Sequence, residues 1–468
     1  MLFNSLHFLI FLPVLVAAYY LLPHRFRWML IFLGSCYFYM VFVPKYILIL
    51  FFIILVDYIA ALTIEQVNGR LKLFYLIASL LTNIGLLAFF KYFNFINENV
   101  IELFSVFGKD LHKYNLDVIL PIGLSFHTFQ SMSYTIEVYK GKQKAEKHLG
   151  YFANYVLFFP QMVAGPIERY SGLGNELRKE VTPLYENFSN GFRLILFGFF
   201  IKMCVADNIA PYVNEIYADP QNFHSSQIFY GILLFSIQIY ADFFGYSTIA
   251  LGSARLLGVN IMDNFKTPYL SKSIGEFWSR WHISLSSWFR DYLYIPLGGN
   301  RVKLPRWIFN ILIVFMVSGL WHGANWTFVI WGALHGIMIF LERGFNYITG
   351  FKSKAGWGIV NILLAVKTFL IVSFIWVFFR AESFDKAFLV LNSLFSNIHM
   401  PGVEMPVIYS VVPAIAMLIF ELFLYKSRFD VKISNYKIPA RWTFYSVLIF
   451  CVMALSGIHK YTFIYFQF

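Results

Sequence analysis

Apolar stretches long enough to cross or enter a bilayer recur along the whole chain, and no other feature narrows the fold as much. They lie at residues 3–22, 28–43, 46–63, 74–90, 149–163, 192–205, 228–240, 308–320, 328–340, 359–379, 407–424 and 442–457. A hydrocarbon core about 30 Å thick takes roughly 20 apolar residues per helix. Backbone polar groups in lipid must be satisfied internally, which leaves helices or a closed barrel. Barrel strands would alternate polar and apolar residues, and these stretches do not. The chain is 59% hydrophobic, 21% aromatic and 13% charged, whereas soluble domains carry about 25% charge. The sequence therefore predicts an all-α, multi-pass integral membrane protein with about eleven transmembrane or partly inserted helices.

The net charge is +12. Arg25 and Arg27 follow the first span, Arg70 and Lys72 the third, and Lys140, Lys142, Lys144 and Lys147 a membrane segment near 121–139, while the intervening joint at Pro44 and Lys45 and the region 93–115 are poorer in basic residues. By the positive-inside rule, alternation puts the N-terminus outside and the lysine cluster in the cytoplasm. A basic cytoplasmic face would also attract an anionic donor such as a coenzyme A thioester. Basic residues confined to short inter-helix loops exclude nucleic acid as a partner. The first stretch lacks a basic leader and is long enough to span, so no cleaved signal peptide is expected. Cys36, Cys204 and Cys451 are scattered through apolar segments. Their spacing suits neither a metal site nor a disulfide framework, and inert buried thiols are expected.

One membrane domain is expected over residues 1–468, with N-terminal spans (1–115), a core of short and re-entrant helices (116–345), and C-terminal spans with an aromatic tail (346–468). Gly, Pro and charged residues interrupt the core at 158–170 (FFPQMVAGPIERY), 241–247 (ADFFGYS) and 294–300 (YIPLGGN). Irregular backbone at membrane depth survives where it is buried in protein or lines a wet cavity, so a central tunnel or funnel is expected. Within 276–292, Trp278, Trp281, Leu285, Trp288 and Tyr292 form one stripe at helical spacing; Arg280, Ser284, Ser287 and Asp291 form another. This predicts an amphipathic helix at the interface, with His282 at the edge of the aromatic stripe. Residues 307–341 are too many for one upright span at 1.5 Å per residue. Gly319 and Gly323 mark a break that would place His322 at membrane depth.

A histidine in an apolar segment bound for a membrane is costly unless something uses it. His322 could act as general base toward an alcohol attacking a thioester, could accept the acyl group itself, or could be a structural imidazole bonded to a carbonyl. His282 could orient substrate or water, or cap local backbone. His335 follows His322 by thirteen residues, which on a continuous helix turns the two apart, so it reads as structural. His127 reads as a packing residue. Asp57 and Asp207, in apolar surroundings, are expected to pair internally. His112 and Asp117 match an acyltransferase His-x4-Asp spacing in a mixed polar loop without its context, a chance match among eleven histidines.

Five segments together carry a family resemblance: MLFNSLHFLIFLP at 1–13, FFPQMVAGPIERY at 158–170, QIYADFFGYSTIALGSARLLG at 238–258, WHISLSSWFRDYLYIPLGGNR at 281–301 and LWHGANWTFVIWGALHG at 320–336. The chain resembles the membrane-bound O-acyltransferases, in particular the bacterial branch that O-acetylates alginate and peptidoglycan. The resemblance implies that His322 is the essential histidine and His282 the second polar position of the active site. Trp321 and Asn325 beside His322, and Trp281, Arg290 and Asp291 beside His282, become the candidate substrate contacts. Related systems use a tyrosine in a Phe-x-Tyr-x-x-Phe tail as acyl shuttle, and the chain ends FIYFQF, so Phe463, Tyr465 and Phe468 fit; alternatively these form an aromatic interfacial tail.

The implied activity is transfer of acetyl from a cytoplasmic thioester, with acetyl-CoA as donor substrate and no permanently bound cofactor. The acetyl would pass through the inner membrane to an extracytoplasmic acetyltransferase partner and a polysaccharide acceptor. A transporter moving acyl donor or sugar without chemistry is the competing class. It predicts paired interrupted helices in two related halves, a repeat this sequence lacks. An acyltransferase acting on lipid or protein is the third reading.

Overall fold

The computed structural model describes all residues except 110, 117–119, 164, 351–355, 357, 403–407, 426, 457–460 and 465–468. The described residues form helices joined by turns, and eight helices are long and apolar enough to cross a membrane. Two shorter apolar helices, Leu6–Leu21 and Ser410–Phe423, add to them. The expected all-α, multi-span membrane architecture is what the chain adopts. It divides into two compact units: Met1–Phe192 with Ala250–Met262, and Arg193–Ile249 with Asp263–Phe468.

In the first unit, the helices Ile47–Gln66, Gly69–Leu87 and Leu124–Tyr139 pack around one buried carboxylate. Asp57 accepts hydrogen bonds from Ser79 (2.5 Å), from the Asn83 amide (2.9 and 3.1 Å) and from Ser131. A buried charge without partners costs several kcal/mol. Here donors from two neighbouring helices meet Asp57, so a polar knot fixes how the three pack. The internal pairing expected of Asp57 is present, with hydroxyl and amide partners. Within the Lys140–Lys147 loop, Glu146 accepts from the His148 N–H (2.7 Å), Tyr170 and Arg178, which anchors that basic loop.

The region 93–115, read from sequence as a connection, is largely helical: Gly69–Leu87 runs on through a π-helical stretch, Ala88–Tyr92, into Phe93–Val106. His112 is exposed on the following segment against Tyr114, and Asp117 lies outside the described residues.

In the second unit, the sequence 241–247 does not interrupt its helix. It is the interior of the 32-residue helix Ser225–Leu256. The glycine there allows close approach rather than a break. A Cβ on Gly245 would lie 2.9 Å from the Lys202 backbone nitrogen and 3.0 Å from the Gly198 carbonyl oxygen. The Gly198 side reaches this contact where Tyr185–Phe199 continues through a π-helical stretch, Phe200–Ala206, into Asp207–Ala218. Residues 294–300 are irregular, as expected, with Gly298 and Gly299 at positive φ.

The apolar run 307–341 breaks where length and glycine placement predict. Leu304–His322 ends at His322, Gly323 is extended, and Asn325 caps Trp326–Thr349 by accepting the Thr327 N–H (2.9 Å). The two helices then pack backbone to backbone. A Cβ on Gly319 would come within 2.0 Å of the Phe328 carbonyl oxygen, and one on Gly332 within 2.0 Å of that of Phe315. Small residues at such crossings are how membrane helices approach closely.

Candidate active site

The expected single amphipathic helix over 276–292 is two short helices, Ile274–Arg280 and Ile283–Phe289, with His282 between them. His282 has φ 43° and ψ 54°, a left-handed conformation that costs a non-glycine residue about 1–3 kcal/mol. Thr267 is the other non-glycine residue at positive φ among those described. The two belong to segments that pin each other: Lys266 N–H donates to Arg280 C=O (3.0 Å) and Ile283 N–H to Asn264 C=O (3.0 Å). Tertiary pairing thus breaks the helix where the sequence carries neither Gly nor Pro. The break also turns Ser284, assigned to the polar stripe, fully inward.

Asn264 organises the turn. Its side-chain oxygen accepts from Ser284 Oγ (2.7 Å) and Ser284 N–H (3.3 Å), and lies 3.3 Å from His282 Nδ1. An amide oxygen only accepts, so Nδ1 carries the proton and Nε2 is left as the basic nitrogen. His282 is fully buried, and burial holds its pKa down to about 3. It is a neutral imidazole with a set tautomer.

His322 is the last residue of its helix and is 5% exposed. Its ring meets Trp321, Trp331 and Phe379 edge-on, with centroids 5.0, 5.2 and 5.4 Å away. The indole of Trp321 also lies 6.4 Å from His282. The two histidines that are forty residues apart in sequence therefore meet the same tryptophan.

The helix phase that would turn His335 away from His322 does not apply, because the helix is broken between them. Trp331 contacts both His322, at 5.2 Å, and His335, at 5.1 Å. His335 is fully buried among aromatic rings, Trp278 and Phe277 included, and neither ring nitrogen has a hydrogen-bond partner among the described residues. His127, also buried, hydrogen-bonds the Val156 carbonyl (2.9 Å), as a packing residue would.

The remaining sequence candidates are dispersed. Trp281 packs on Tyr240, Phe265 and Trp376 in the aromatic core. Asn325 is engaged in its cap and in donating to the Glu382 carbonyl (2.9 Å). Arg290 pairs with Asp291 (2.9 Å) and is mostly exposed. Arg290 also lines a cavity of about 340 Å3 with Trp278, Ser286, Ser287, Phe315 and Ser318. Trp278 and Phe315 form the partition between that cavity and His335.

Tyr465 and Phe468 lie outside the described residues, but the residues before Tyr465 reach the site. Phe463 is fully buried against Tyr246 (4.6 Å) and Phe243 (5.7 Å). Phe243 in turn meets the His282 ring edge-on at 4.8 Å. One phenylalanine thus separates the C-terminal segment from the second histidine. No periodicity in the sequence signals this contact.

A family model, the membrane-bound O-acyltransferase family, matches residues 76–383, which include both His282 and His322. The chain is 38% identical over 399 residues to the "probable alginate O-acetylase AlgI" of Pseudomonas aeruginosa, covering 85% of this chain and 75% of that one. It is 34% identical over 429 residues to a peptidoglycan O-acetyltransferase of Helicobacter pylori, covering 84% and 80%. A teichoic acid D-alanyltransferase of Bacillus subtilis is 30% identical over 285 residues, covering 57% of this chain and 70% of that one. A match of this extent over an all-helical, multi-span chain is decisive: the protein belongs to the membrane-bound O-acyltransferase family and is an acyltransferase.

Proposed function

We propose that this protein takes acetyl from acetyl-CoA at the cytoplasmic side of the inner membrane and passes it outward for O-acetylation of an envelope polysaccharide, through an acetyltransferase partner outside. The names of the relatives similar over most of the chain support a polysaccharide acceptor. The observation that carries the reading is the contact of both His322 and His282 with Trp321, with the buried Phe463 segment one ring from His282.

In this scheme His322 is the general base. It removes the proton from an attacking hydroxyl as that oxygen bonds to the thioester carbonyl carbon. The C–S bond then breaks, and the departing thiolate takes the proton back. The tautomer set by Asn264 leaves His282 Nε2 as an acceptor that holds the hydroxyl in line. The attacking hydroxyl is that of Tyr465, two residues beyond Phe463, and a second transfer to the partner regenerates it. Trp321 and Trp281 wall the reacting groups, and Asn325 fixes the start of the helix that follows His322. The cavity of about 340 Å3 is within the ordinary range for a small-molecule site, roughly 300–1,000 Å3. The acyl thioester sits there in this scheme, with Arg290, paired with Asp291, in its lining.

Purified protein in detergent, incubated with radiolabelled acetyl-CoA, should release free thiol and acquire label as an ester. Intact thioester after incubation with active protein would contradict the reading and favour a transporter.

A further inference from the structure

A buried ion cluster in the second unit has no part in the chemistry above. Lys202, 1% exposed, bridges Asp207 (2.6 Å) and Asp242 (2.7 Å). Burying charges is expensive even when they are paired, and an apolar replacement is often no less stable. The cluster therefore calls for a role beyond holding helices together. One ammonium faces two carboxylates, which leaves acceptor capacity to spare.

The second oxygen of Asp242 uses that capacity. It accepts the backbone N–H of Ile464 at 2.7 Å, across 222 positions of sequence. Around that bond, Phe463 is fully buried and Ile464 is 3% exposed. A small pocket of about 10 Å3, the size of one water molecule, is lined by Lys202, Gln238, Asp242, Tyr461, Thr462 and Ile464. Asn214 and Arg380 line both this pocket and a neighbouring cleft of about 280 Å3, so the clamp is not sealed off. Asp242 is also the neighbour of Phe243, the ring between Phe463 and His282.

We infer that the Lys202–Asp207–Asp242 cluster is a docking receptor for the protein's own C-terminal segment, and that Asp242 is a positioning residue that holds this segment beside His282 for acyl transfer. The positioning half rests on the proposed function; the docking half does not. Lys202 sets the direction of the Asp242 carboxylate, and the Ile464 N–H fixes the register of Phe463 and Ile464 against it.

Hydrogen–deuterium exchange of the full-length protein reads the bond directly. In Asp242→Ala, exchange at the Ile464 amide should rise about ten- to a hundred-fold, as expected for loss of a charge-assisted hydrogen bond, with the helix Leu304–His322 unchanged. Asp207→Asn leaves the acceptor in place and should keep exchange slow. Acetyl transfer by Asp242→Ala should fall in kcat with little change in the KM for acetyl-CoA. Asp242→Asn, whose amide oxygen still accepts, should recover part of it. If Asp242→Ala does not fold, Ile464→Pro removes the donor and leaves the cluster intact; the tail amides around it should then exchange faster. Unchanged exchange in these variants would overturn docking. Fast exchange with undiminished kcat would overturn positioning while docking stands. Wild-type protein with a protected Ile464 amide that leaves acetyl-CoA intact would overturn the proposed function, and positioning with it, while docking stands.

Discussion

His282 is held in place by backbone conformation and by Asn264, and it is neutral because it is buried. Its folded pKa is about 3, against about 6.5 when unfolded. Between these values the unfolded chain binds a proton that the folded chain does not. The stability His282 contributes is therefore complete above about pH 6.5 and is lost progressively as pH falls toward 3. Thermal unfolding in detergent should show His282→Gln with a shallower loss of stability between pH 7 and pH 4 than wild type. Parallel curves would mean that His282 is charged or solvated in the folded protein. The same variant should lower acetyl transfer at neutral pH, because the glutamine has no basic nitrogen to hold the hydroxyl.

At the scale of elements, glycines decide the site. Gly319 and Gly332 let Leu304–His322 and Trp326–Thr349 touch, which sets where His322 ends and where Trp331 begins to cover it. Gly319→Ala would drive a methyl group into the Phe328 carbonyl, an overpacking that costs about 1–3 kcal/mol. Its unfolding temperature should drop and its acetyl transfer should fall. Gly344→Ala, with nothing within 4 Å on the same helix, should be neutral or slightly stabilising.

This is also where the sequence was most and least legible. Span length and the Gly319–Gly323 pair were enough to locate the break at His322. The break at His282 was not readable, because the pairing of 264–267 with 280–284 imposes it on residues that otherwise prefer a helix. The 241–247 segment misled for the opposite reason: its glycine serves a close helix contact inside an unbroken helix. His335 was judged by the phase of a helix that does not run continuously from His322, so the contact of both histidines with Trp331 could not be seen.

For the whole molecule, hydropathy was sufficient to give the all-helical, multi-pass class, since bilayer thickness and backbone hydrogen bonding leave few alternatives. Long-range contacts were not readable. The Asp57 knot and the docking of Phe463 and Ile464 depend on partners tens to hundreds of residues away. Composition predicts that buried charges find partners, without saying which.

In the proposed reaction, His322 activates a hydroxyl on the protein's own C-terminal segment for attack on a thioester. Mass spectrometry of the C-terminal peptide, after incubating purified wild type and His322→Ala with acetyl-CoA, tests it most directly. Tyr465 should gain one acetyl group in wild type and none in the variant. Equal acetylation of Tyr465 in both proteins would contradict it.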